Sequence, residues 1–166
     1  MDSDRFAVHT SHQRRKAISS PSDFDVLNDL IHDQVFELQH IRYLENEGIL
    51  EIPYSRICWD GPTKQLANLW FYRSWDVGVS KAVVRVRDVK SFEVRDRAEL
   101  GTYMLSDVRY TAEPQVLVFD CCEPCELRLR VSSVNIEFEE LGQIGRAKVS
   151  SLFLIEHTSK PIYDVV

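Results

Sequence analysis

The stretch of this 166-residue chain that comes nearest to chemistry is Cys121-Cys122-Glu123-Pro124-Cys125. It holds both a CxxC and an adjacent pair of thiols, and Cys58 stands as a further ligand. Thiolates spaced this way across a turn can grip one tetrahedral zinc ion. A structural zinc site usually shows two such pairs, or one pair with a well-spaced histidine pair, and the chain has neither. A redox CxxC wants a helix N-terminus, where the dipole lowers the thiol pKa, and this one falls between strand-like runs. Free, reduced cysteines are therefore expected, with zinc as the metal the set would suit and no other cofactor.

The second candidate is aromatic. Trp59, Trp70 and Trp75 are all the tryptophans of the chain, and with Phe71 and Tyr72 they fall within residues 58–79. Large rings with a hydrogen-bonding tip suit a binding surface. The plainer alternative is that they cover an open end of a sheet and complete its core, the commoner fate of large aromatics.

Other catalytic patterns are missing. None of the histidines stands at HExxH spacing, and there is no GxSxG, P-loop or GxGxxG. Glu137 and Glu139 would share one strand face, which suits acid–base work only if burial separates their pKa values. Arg85, Arg87, Arg128 and Arg130 form basic rows that can bind an anion or meet Glu51, Glu93, Glu137 and Glu139 as cross-strand ion pairs. The nearby acids favour the ion pairs. No catalytic residue is singled out, and the reading leans away from an enzyme.

What must position these groups is mostly β. FELQHIRYLENEGILEIP (36–53) slides by 67 positions onto YMLSDVRYTAEPQVLVFD (103–120), with Leu38, Arg42, Tyr43 and Leu50 recurring as Leu105, Arg109, Tyr110 and Leu117. Each copy reads as a β-hairpin, the first turning at Asn46-Glu47-Gly48, where glycine accepts positive φ, the second at Glu113-Pro114. Alternation predicts a strand over 81–89 and a relative over 126–134, matched at an offset of 45. Aromatic content predicts another over 69–75, and 149–156 reads as a last buried strand, with Gly142 and Gly145 bounding a loop before it.

Ser20-Pro21 is an N-cap followed by a first-turn proline. Phe24, Leu27, Leu30 and Ile31 then form one apolar stripe, so a helix over 22–32 should lie against the sheet with His32 at its end. Residues 1–20 read as a polar tail, alternatively an arm anchored by Phe6 and Val8. The expected architecture is thus one mainly β domain over 21–166, α+β by count. It is a twisted antiparallel sheet, barrel or sandwich, from a degenerate two-fold repeat (about 36–96 and 103–140) with the insert 58–79 in the first copy.

Composition narrows the partners. A net charge of −6 disfavours nucleic acid. No apolar run approaches the roughly 18 residues of a membrane span, and the first residues lack the apolar core of a signal peptide. A cytoplasmic location is expected. These features point to a non-catalytic protein that binds another protein, of inhibitor, adaptor or immunity type. The alternatives are a small-ligand-binding barrel and a cysteine-centred metal protein.

Overall fold

The computed structural model describes residues 14–59, 61–152 and 155–158, with residues 152 and 155–158 described by backbone alone. The chain enters as a strand, β1 (Arg15–Ile18), so part of the segment read as a tail belongs to the sheet. Ile18 is buried there; Phe6 and Val8 lie outside the described residues. The Ser20 hydroxyl then accepts from the Ser22 N–H at 3.3 Å, Pro21 opens a 3-10 turn, and α1 runs over Phe24–Ile31. Its predicted stripe of Phe24, Leu27, Leu30 and Ile31 is buried. His32 ends it, bonding the Ser106 carbonyl through Nδ1 at 2.7 Å.

The remaining strands are β2 (Val35–Glu37), β3 (Arg42–Leu44), β4 (Ile49–Cys58), β5 (Lys64–Leu69), β6 (Tyr72–Val86), β7 (Val89–Asp96), β8 (Thr102–Thr111), β9 (Val116–Cys121), β10 (Cys125–Val131), β11 (Ile136–Leu152) and β12 (Ile155–Thr158). Three differ from expectation. The strand expected over 69–75 is interrupted: Leu69 ends β5, Trp70 and Phe71 form a hairpin tip, and Tyr72 opens β6. The run 81–89 breaks at Asp88, whose φ is +60°. The loop expected around Gly142 and Gly145 is instead interior to β11, where both glycines stay paired and bulges at Leu141 and Ile144 interrupt the register without ending the ladder. Gly48 takes φ +62°, and a Cβ there would stand 3.1 Å from the Val89 carbonyl, so any side chain at this turn would be strained.

All strands pair antiparallel in one sheet ordered β1-β11-β6-β4-β2-β8-β9-β10-β7, with β3 beside β4, β5 beside β6 and β12 beside β11. The sheet does not close. Its inner face wraps one core to which β4, β6, β8, β9, β10 and β11 all contribute, and α1 is part of the same cluster. Tyr54 anchors the helix, its hydroxyl donating to the Leu30 carbonyl at 3.2 Å.

Several ladder pairs recur at the 67-residue spacing. At the centre Phe36 faces Tyr103, its own counterpart 67 residues on, and Val35 faces Met104 as Glu37 faces Thr102. Moving outward, Tyr43 faces Leu50 and Tyr110 faces Leu117. Ile52 faces Val84 and Phe119 faces Leu127. By ladder position Val84 and Leu127 thus stand 43 residues apart, not the 45 that the alternation alone suggested. Alternating strands can slide by two residues without changing face, and only the ladder fixes the slide.

The fourth strands are exchanged. β7 follows β6 after two residues yet pairs with β10, and β11 follows β10 yet pairs with β6. The two crossings touch: the Arg87 N–H donates to Asn135 O at 2.9 Å and the Ser132 N–H to Asp88 O at 3.0 Å. The Asp88 carboxylate accepts from Ser133 Oγ and Asn135 Nδ2, each at 3.1 Å. Each half of the sheet therefore depends on a strand from the other.

On the outer face the expected ion pairs run across the strands. Glu139 of β11 lies between Arg15 of β1 and Arg85 of β6, and Arg85 Nε also donates to Glu51 Oε1 of β4 at 2.7 Å. Arg87 meets Glu137 at 3.4 Å, whereas Arg128 and Glu93, opposite in register, pair instead with Glu126 and Arg95. Only 4% of Glu139 is exposed, because the two guanidiniums cover it. The hydrogen bond from Arg85 chiefly, with Arg15 adding to it, holds the Glu139 carboxyl below the usual range. A depressed carboxyl stabilises the fold fully above its unfolded value, about 4.3, and loses that contribution as pH falls through the depressed folded value. Urea midpoints measured against pH should show Glu139→Gln less stable than the parent above this window, with the two converging below it. Parallel curves would refute the assignment.

Candidate binding surface

β6 outruns β4. The β4 ladder ends at Cys58 opposite Gly78, and from there β5 takes the same edge, from Lys64 opposite Asp76 to Leu69 opposite Tyr72. β11 continues along the other edge to Leu152, with β12 outside it. These strands make an arm built from the segment read as an insert. It has a small core of its own: Val77, Val79 and Ala147 are buried, with Ile57, Trp75 and Val149 packed on them. Alternation along β6 sets Val77 and Val79 on the face opposite Ala82, Val84 and Val86, so this second cluster backs onto the reverse of the main sheet.

The arm separates the five candidate aromatics. Trp75 is half-buried on the second cluster, and Trp59 meets it edge-on with centroids 6.0 Å apart. Tyr72, opposite Leu69, alternates onto the other face. Trp70 and Phe71 form the hairpin tip, edge-on at 5.3 Å. Trp70 is 83% exposed, and Phe71, Leu66 and Leu69 are exposed around it. Trp59 is itself exposed, so the tip carries the most exposed ring but is not the whole apolar surface.

Bulges enlarge the exposed apolar area. Leu66 on β5 has no opposite number between Gln65 and Ala67. Leu141 and Ile144 on β11 are extra residues in the same sense. All three are exposed. A bulged residue is freed from the two-residue period, so no periodic pattern identifies it beforehand.

At the root of the arm a polar cluster closes the main core. Arg56, only 8% exposed, places Nη1 3.5 Å from Glu140 Oε2 and 3.6 Å from Cys58 Sγ. Cys58 Sγ lies 3.2 Å from the buried Ser80 hydroxyl. Burial pushes the Cys58 thiol up, which keeps it protonated and weakly nucleophilic. A catalytic thiol or serine needs an adjacent base; His32 and His40 sit elsewhere, near Ser106 and Glu37.

The other cysteines occupy the β9–β10 hairpin, with β2 and β8 between β9 and the β4 that carries Cys58. The four cysteines weighed as zinc ligands, Cys58, Cys121, Cys122 and Cys125, are not brought together. Among the described residues no group of three or more histidine, cysteine and acidic side chains could hold a metal ion. Burial raises the pKa of each hairpin thiol, that of Cys121 most strongly. Compared with known protein families, curated proteins and solved structures, the chain matches none.

Proposed function

We propose that this protein is a non-catalytic protein-binding module, of inhibitor, adaptor or immunity type, whose partner docks on the tip of the β5–β6 hairpin. The observation that carries the reading is the contiguous exposure of Leu66, Leu69, Trp70 and Phe71 on an arm with its own supporting core. Clustered apolar side chains held rigidly in water mark an interaction surface more often than scattered ones do. Tryptophan is the residue most enriched among binding hot spots. A small-ligand barrel has less support, since the sheet is open and Phe36, Tyr103, Phe119 and Phe138 fill the inner face. Residence in the cytoplasm belongs to the same proposal. Among the described residues no helix is long and apolar enough to cross a membrane.

Affinity capture at physiological salt should recover a partner with the parent chain, and Trp70→Ala/Phe71→Ala should weaken it at least about tenfold, the scale of a lost hot spot. The unfolding midpoint should barely move, as expected for exposed positions. A partner held equally by both proteins, or no partner at all, refutes the reading.

A further inference from the structure

Cys121 ends β9 and Cys125 begins β10, and the ladder brings Glu126 opposite Asp120. One step further towards the turn the same register sets Cys125 against Cys121, and the two thiols are in hydrogen-bonding contact. Directly opposed residues of an antiparallel pair have Cα atoms about 4.5–5.5 Å apart, inside the roughly 4.4–6.8 Å that a disulfide spans. Both side chains point to the core face: Cys125 is buried in the main cluster and Cys121 packs on its margin.

The turn between them is held in place. The Cys122 N–H donates to Met104 O at 2.9 Å and the Arg97 N–H to Pro124 O at 3.0 Å. Glu123 Oε2 accepts from the Met104 N–H at 3.2 Å. A surface concavity lined by Arg95, Arg97, Glu123 and Pro124 reaches both cysteines. Cys122, though adjacent and exposed, lies in the turn between the two strands.

We propose that Cys121 and Cys125 are a site of reversible disulfide formation, closing the β9–β10 hairpin when a small-molecule disulfide reaches them through this concavity. Half-exposed Cys121 loses its proton and attacks one sulfur of the oxidant, forming a mixed disulfide and releasing one small thiolate. Cys125, deprotonated in turn, attacks the Cys121 sulfur and releases the second. The protein gives up two protons and two electrons, and the oxidant leaves as two thiols. Because the thiolate is the attacking species and burial disfavours it here, the reaction is slow at neutral pH and quickens as pH rises.

The full chain, folded, is incubated with glutathione disulfide, its remaining thiols are alkylated, and peptides are mapped without reduction. The expected product is a Cys121–Cys125 link, lighter by two hydrogens, in the parent, in Cys122→Ser and in Cys58→Ser. Its unfolding midpoint should lie above that of the reduced form, and a thiol reductant should restore the starting mass. Bonding of Cys122 to either neighbour, mixed disulfide confined to Cys122, or four free thiols after prolonged exposure would each overturn the proposal. Since none of these residues lies on the hairpin tip, failure of the binding proposal leaves this test unaffected.

Discussion

Phe36→Ala is expected to destabilise the protein by about 3–5 kcal/mol, the range for removing a buried phenylalanine. Only 2% of Phe36 is exposed, and its ring stands 6.3 Å from that of Tyr103. This pair lies where β2 meets β8, the junction between the two halves of the sheet. Tyr103 cannot move into the space. Its hydroxyl donates to Asp96 and accepts from the Leu100 N–H at 2.7 Å, which ties it to the loop after β7. The cavity therefore stays open and the loss falls in the upper part of the range. Because β7 and β11 are each carried by the opposite half, the halves should unfold together, in one transition with a lowered urea midpoint. Phe71→Ala should shift stability by no more than about 0.5 kcal/mol, as exposed substitutions do. Similar losses from both changes, or two separate transitions in the Phe36 variant, would contradict the architecture.

What the sequence conveyed depended on how local each feature is. The cap at Ser20, the stripe of α1, the turn at Gly48 and the alternation of β10 are written within a few residues, and each was legible. Tyr43 and Tyr110 each stand in a hairpin, opposite Leu50 and Leu117. Slides of two residues, as between offsets of 45 and 43, leave the pattern intact and so escaped it. So did the departure at Arg87-Asp88. A two-residue connection reads as a hairpin, and nothing nearby says that β7 will leave β6 for β10. The aromatic segment stood out by its composition, but not as an arm. Its split into a stacked pair, a lone tyrosine and an exposed tip depends on the β5 bulge and on where β4 ends. The buried pair of Arg56 and Glu140 was missed for the same reason, since bulges in β11 obscure the alternation near Glu140.

That pair supports the second large effect. Arg56→Ala should cost about 2–3 kcal/mol, because removing one partner of a buried ion pair strands the other in a poorly solvated place. Two features set it at the lower end. The contact is long, at 3.5 Å, and Glu140 keeps 17% of its side-chain surface in water. The loss is one of desolvated charge rather than of attraction, so neutralising both partners should largely reverse it. Arg56→Met with Glu140→Leu fills similar volume, leaves neither charge behind, and should return to within about 1 kcal/mol of the parent. Measured as a double-mutant cycle in urea, the pair should therefore show coupling of about 1–2 kcal/mol. Coupling near zero would mean that Arg56 stabilises the arm through its packing and its contacts other than Glu140. In that case the Arg56→Met single variant, which keeps most of the side-chain length, would be nearly as stable as the parent.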